Sequence, residues 1–154
     1  MIKGIQFAVA CISGLLALMM IACAPPADIP ERSSEPAIHI LGLSQDTIVQ
    51  FVDSLVLLLE YDDIEGDIGT VITEERSLSI KDSRLPQADL FHIPPLAPLG
   101  DTVHIRGTLR IGIPQLYLLS KDEEEELTFR VRLRDRAGNW SAEAISPSVL
   151  IIKD

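Results

Sequence analysis

The residues with the richest chemistry in this chain are hard-oxygen donors. Asp62-Asp63-Ile64-Glu65-Gly66-Asp67-Ile68-Gly69 places four carboxylates within six residues, beside two glycines. A second polar turn, Asp135-Arg136-Ala137-Gly138-Asn139, holds the only asparagine of the chain. Calcium takes hard oxygens from carboxylates, carbonyls and water. Asp62, Asp63, Glu65, Asp67, Asp135 and Asn139 are therefore a candidate structural Ca2+ set, provided both loops share one end of the fold. The same residues also fit two solvated turns whose carboxylates are offset by Arg134 and Arg136. The EF-hand spacing fails: with Gly66 in the invariant glycine position, Tyr61 and Ile72 fall on the first and last ligand positions.

Other reactive groups are scattered. His39, His92 and His104 stand singly, without the spacing of a metal triad. No GxSxG, HExxH, GxxxxGK[ST] or GxGxxG motif occurs. No nucleophile stands beside a candidate base, so the expectation is a protein that is not an enzyme and carries no cofactor beyond the candidate Ca2+. Thirteen Lys and Arg against 23 Asp and Glu give a net charge of −10, which argues against a nucleic-acid partner.

Cysteine chemistry points to a compartment. Lys3 precedes an apolar run from Ile5 to Ala22 that ends at Cys23. Charge, apolar core and small residue form the grammar of a signal peptide. The sequel, APPADIPERSSEP over 24–36, is rich in proline and lacks a basic stop-transfer cluster. Met20-Ile21-Ala22-Cys23 resembles the lipobox of bacterial lipoproteins, with Met20 in place of the usual leucine. The resemblance implies cleavage before Cys23, lipidation of its sulfur and a membrane anchor at the bacterial cell envelope, most simply the outer membrane. Loss of 1–22 removes one cation, Lys3, and leaves a net charge of −11. It also removes Cys11, so no disulfide remains to hold the folded part.

These groups must be positioned by strands. Residues 24–36 read as a tether, about 40 Å long at 3.1 Å per residue if extended. From Ala37 to Asp154 the pattern has period two. TVHIRGTLRIGI (102–113) and LTFRVRLR (127–134) alternate apolar with polar residues, the mark of half-buried strands. Gly107, on the apolar face, predicts a bulge or bend. LVLLLEY (55–61) reads as a strand covered on both sides or central in the core. AIHILGL (37–43), 77–82 and 145–152 complete the set, with Pro147 placing the last at an edge. A turn of helix fits near 114–119. Arg106, Arg110, Arg130, Arg132 and Arg134 fall on wet faces. They read either as a cationic stripe for an anionic glycan or lipid headgroup, or as cross-strand partners of the abundant acids, for instance those in 122–126. The acidic run itself reads as a solvated loop.

Six or seven strands in this span, with no helix-length period, predict an all-β, two-sheet antiparallel sandwich over 37–154. RVRLRDRAGNWSAEAISPSVLI resembles the last two strands of bacterial immunoglobulin-like or fibronectin-III-like modules. DIEGDIG resembles the acidic loop of Bacteroidetes-type envelope lipoproteins. The resemblance implies an immunoglobulin-like fold and says little about activity. Besides a purely structural spacer, two function classes remain open. One is a lipid-anchored accessory module with an envelope protein partner; the other is a lipoprotein that captures a glycan or small ligand, with or without calcium. A tyrosine- or tryptophan-lined pocket favours the second. An exposed apolar edge such as Leu150 and Ile152 favours strand addition.

Overall fold

The computed structural model describes residues 33–154. The expected signal peptide, Cys23 and the tether up to residue 32 lie outside the described residues. Of the remaining tether, Pro36 is buried at the threshold of the first strand.

Ten strands and no helix make up the described chain. The first sheet joins β1 (Ala37–Leu43), β3 (Leu55–Asp63) and β6 (Ile105–Ile113) in the order β1-β3-β6, antiparallel throughout. The other seven strands are β2 (Thr47–Val49), β4 (Leu78–Asp82), β5 (Asp89–Phe91), β7 (Glu124–Leu127), β8 (Phe129–Leu133), β9 (Ala144–Ile145) and β10 (Val149–Ile152). Hydrogen bonds link them as β2-β10-β7 and β5-β4-β8-β9. These two groups form one layer. Only Thr128 separates β7 from β8, and only 146–148 separate β9 from β10. The interruption is stitched by Ser146, whose hydroxyl accepts the Phe129 amide (2.8 Å) while its own amide donates to the Phe129 carbonyl (2.9 Å). The result is the expected two-layer β-sandwich, with the early chain switching from the first sheet (β1) to the second (β2).

Alternation explains which residues meet inside. In β3, Leu55, Leu57 and Leu59 are buried while Val56, Leu58 and Glu60 are only partly covered. They pack with Leu127, Phe129, Val131, Leu133, Val149 and Ile151 of the opposite layer in one core. Each such side chain contributes about 1.5–3 kcal/mol on burial. The core is aliphatic, with Phe129 the largest fully buried side chain.

Several expectations are corrected. The 55–61 run is central, between β1 and β6, and not covered on both sides, because the sandwich has two layers and no third covers Val56 and Leu58. The last strand is not an edge: β10 lies between β2 and β7, and its pairing with β2 is parallel. Pro147 is tolerated because it sits in the stitched gap, where no ladder bond is lost. The acidic run enters the sheet, since Glu124–Leu127 is β7, with Glu124 opposite Ile152 and Glu126 opposite Leu150. Residues 102–104 precede β6, because the Val103 amide bonds the Glu65 carbonyl (3.4 Å) in the acidic loop. Residues 114–119 form no helix. The Leu116 carbonyl accepts the Phe51 amide and the Leu118 amide donates to Gln50 Oε1, so the loop is tied to its neighbour instead of to itself.

Candidate functional site

β3 and β8 end at the same pole of the sandwich, so the loops that follow them meet. Ile68 and Asp135 form an isolated antiparallel bridge, and the Arg136 amide donates to the Asp67 carbonyl (3.1 Å). The structure brings together Asp63, Asp67, Asp135 and Asn139. Asp63, buried at the end of β3, accepts the amides of Glu65 (3.4 Å) and Asp67 (2.8 Å). Asp135, also buried, accepts the Asn139 amide (2.7 Å) on one oxygen and the Asn139 side-chain amide (2.9 Å) on the other. Asp67 Oδ2 accepts the Ala137 amide (3.2 Å), while its Oδ1 is buried without a partner. Burial pushes the Asp67 carboxyl above the usual carboxylate range, helped by the charges of Asp135 and Asp63.

Two members of the predicted set stand apart. Asp62 has the opposite strand parity and faces outward, where it meets His104 (2.8 Å) and Arg106 (4.0 Å). Glu65 serves the loop through its backbone, between Asp63 and Val103. Among the described residues no three His, Cys, Asp or Glu side chains converge with metal-holding geometry. The carboxylates are committed mainly to backbone amides, as in turn caps.

Two of the five arginines pair with acids as the second reading expects, though not with those of 122–126. Arg106 pairs with Glu60 (2.9 Å) and Arg130 with Glu143 (3.0 Å). Arg132 and Arg134 flank Trp140, with guanidinium carbons 5.4 Å and 6.0 Å from the ring centroid. The acids of the run are used elsewhere: Glu123 by Lys153 (2.9 Å), Glu125 by Arg84 (2.6 Å). Arg84, just after β4, also holds Asp82 (2.7 Å) and donates to the Tyr117 carbonyl (3.0 Å). The Leu119 amide, with the Ser120 hydroxyl and amide and Arg84, lowers the Glu125 carboxyl to about 2. Beyond its neighbour Asp82, the partners that make Arg84 a hub, Tyr117 and Glu125, lie 33 and 41 residues away, so the local sequence does not mark it.

At the opposite pole, Phe51 and Tyr117 stack with centroids 5.7 Å apart and planes 8° from parallel, both exposed. Phe51 has φ of +61°, a strained value for a residue with a side chain. A cleft of about 310 Å3 adjoins Tyr117, with Leu85, Leu116 and Leu119 among its walls. Neither aromatic has a sequence periodicity that predicts the pair.

The sheet edges differ in length. β5 and β2 have three residues each, and β1 carries a register shift between Ile40 and Gly42. β6 runs nine residues without a bulge and pairs only with β3 among the described residues.

No family model matches the chain, and no curated protein matches it. A solved structure similar to it is a variant of the SrpA adhesin from Streptococcus sanguinis, at 16% identity and TM-score 0.41. The match covers 80% of this chain and 59% of that one, so the chain spans about three-fifths of the adhesin's length.

Proposed function

We propose that this chain is a lipid-anchored protein of a bacterial envelope, tethered through Cys23, that acts without catalysis as a strand-accepting interaction module. The observation that carries the reading is the free edge of β6. Long edge strands present unpaired N–H and C=O groups, and sheets normally blunt them with bulges, prolines or cover. β6 has no bulge and no proline, and its inward residues Ile105 and Leu109 are only partly buried against the core. An added strand would pair the ladder and cover those side chains. Arg110 stands outward on this strand without an ion pair among the described residues, so the partner strand is expected to carry an acid opposite it. Membrane attachment comes from the lipobox-like sequence, and the sandwich supplies the recognition surface.

The test is photo-crosslinking in intact cells with a reactive residue at Thr108. A discrete crosslinked partner that is lost in Arg110→Glu supports the reading. Identical products from a reactive residue placed at exposed Glu126 of β7, which pairs with β10 in a different sheet, would sink it.

A second reading, capture of a small ligand, is favoured by the cleft beside Tyr117, whose size falls within the range of ligand pockets. Tyr117→Ala would abolish such capture and leave the Thr108 crosslink intact.

A further inference from the structure

We infer that the pole carrying the two acidic turns also holds an oxyanion-binding pocket, centred on Ser77 and three arginines. The cleft has a volume of about 150 Å3 and is lined by Arg76, Arg134, Arg136 and Ser77, with Glu75 and Asp135 also on its walls. Positive charge prevails in it: among the described residues, none of the three guanidiniums is within ion-pair distance of a carboxylate. Asp135 spends both carboxylate oxygens on Asn139.

The guanidiniums are held in place by neutral groups. Arg136 Nη1 donates to the Gly69 carbonyl (3.0 Å), Arg76 Nη1 to the Thr73 carbonyl, and Arg134 lies over Trp140. Each keeps further N–H donors unused, in the planar arrangement that suits carboxylate or phosphate oxygens.

Ser77 is the independent observation. It is 6% exposed, and its hydroxyl is buried without a hydrogen-bond partner. Its backbone is fully engaged, the amide to the Phe91 carbonyl (3.0 Å) and the carbonyl to the Arg134 amide (2.7 Å). Ser77 lines the cationic cleft with its hydroxyl unpartnered, and buried hydroxyls are normally satisfied. An oxygen of a bound anion would satisfy it. The volume admits one small oxyanion, or the anionic group of a larger molecule, and is below that of drug-sized ligand pockets. The chemistry is that of a phosphate-class oxyanion, free or carried on a lipid headgroup. The inference requires neither the lipid anchor nor the β6 edge.

The test is isothermal titration of the full chain, purified in non-ionic detergent, with inorganic phosphate at constant ionic strength against chloride. The expected result is saturable one-to-one binding, weakened about tenfold by Ser77→Ala and by Arg134→Gln, each of which removes a charge-assisted hydrogen bond. Lys121→Gln, an exposed cation outside the cleft, retains wild-type affinity. Both Ser77→Ala and Arg134→Gln keep the wild-type melting midpoint in chloride. Dihexanoyl-phosphatidylglycerol, added below its micelle-forming concentration, distinguishes the sources. Displacement of phosphate assigns the pocket to a headgroup, and no displacement assigns it to a free anion. Heats no larger than the chloride control, or undiminished binding in both Ser77→Ala and Arg134→Gln, overturn the inference.

Discussion

Tyr61 and Gly107 face each other across β3 and β6, and the phenol end of the tyrosine stands where a side chain on residue 107 would begin. A Cβ built on Gly107 would lie 2.6 Å from the Tyr61 hydroxyl oxygen. The glycine therefore makes room for an aromatic side chain, and the strand continues through it without the predicted bulge. Gly107→Ala is expected to lower stability by about 1 kcal/mol through overpacking, and Gly107→Val by more. Denaturant midpoints measure this. Tyr61→Ser should erase most of the penalty if the contact is its cause.

The strand parity makes a sharper contrast within β3. Leu57→Ala, at a fully buried position, should cost about 2–5 kcal/mol. Leu58→Ala, on the half-covered outer face, should cost under about 1 kcal/mol, in the range of surface substitutions. Equal losses in urea unfolding would contradict the two-layer arrangement.

Acid sensitivity should trace to Glu125. Its folded pKa is depressed to about 2 from an ordinary glutamate value of 4.5. A carboxyl bound more weakly by protons in the folded state stabilises above the unfolded pKa and loses that contribution as pH falls through the folded one. The wild type should therefore lose stability between about pH 4.5 and pH 2 relative to Glu125→Gln. Melting midpoints of both proteins across that window check the slope.

Asp67 has the opposite sign. Its folded pKa is raised, so its charged form is a burden at neutral pH that is relieved as pH falls through the folded value. Asp67→Asn is expected to melt higher than wild type at pH 7, with the difference closing on acidification. A calcium-dependent rise of the wild-type midpoint, absent in Asp67→Asn and reversed by chelator, would instead place a cation beside the unpartnered Oδ1.

Anchoring is tested at Cys23. Cys23→Ala should abolish incorporation of labelled palmitate and release the protein from the membrane fraction. Mass spectrometry that finds an amino terminus at Met1 in the wild type would remove the lipoprotein reading.

The polar turns show how far local sequence reached. Asp135-Arg136-Ala137-Gly138-Asn139 was recognisable as a turn, since Asp caps and Gly takes positive φ, and Gly138 has φ of +100°. The convergence of this turn with Asp63 and Asp67 followed from strand order alone. The exclusion of Asp62 followed from parity at the end of β3, one residue beyond where the alternation could be read with LVLLLEY. Glu124 and Glu126 were legible as acids but not as strand residues, because their pairing partners are Leu150 and Ile152. An isolated run of glutamates has low strand propensity, which neighbouring strands override.

By itself the sequence determined that alternating residues form strands and that Leu127, Phe129, Val131 and Leu133 turn inward, whereas the uniform apolar run Leu55–Leu59 left its inward face to the tertiary structure. Period-two alternation is a property of a single strand and needs no knowledge of its neighbours. The tertiary structure alone decided which strand lies beside which: the parallel partner that covers β10, the open edge left on β6, and the gathering of Ser77, Arg76, Arg134 and Arg136 around one cleft. Those outcomes depend on how distant segments close over a shared core, and packing and loop closure, not local pattern, set that arrangement.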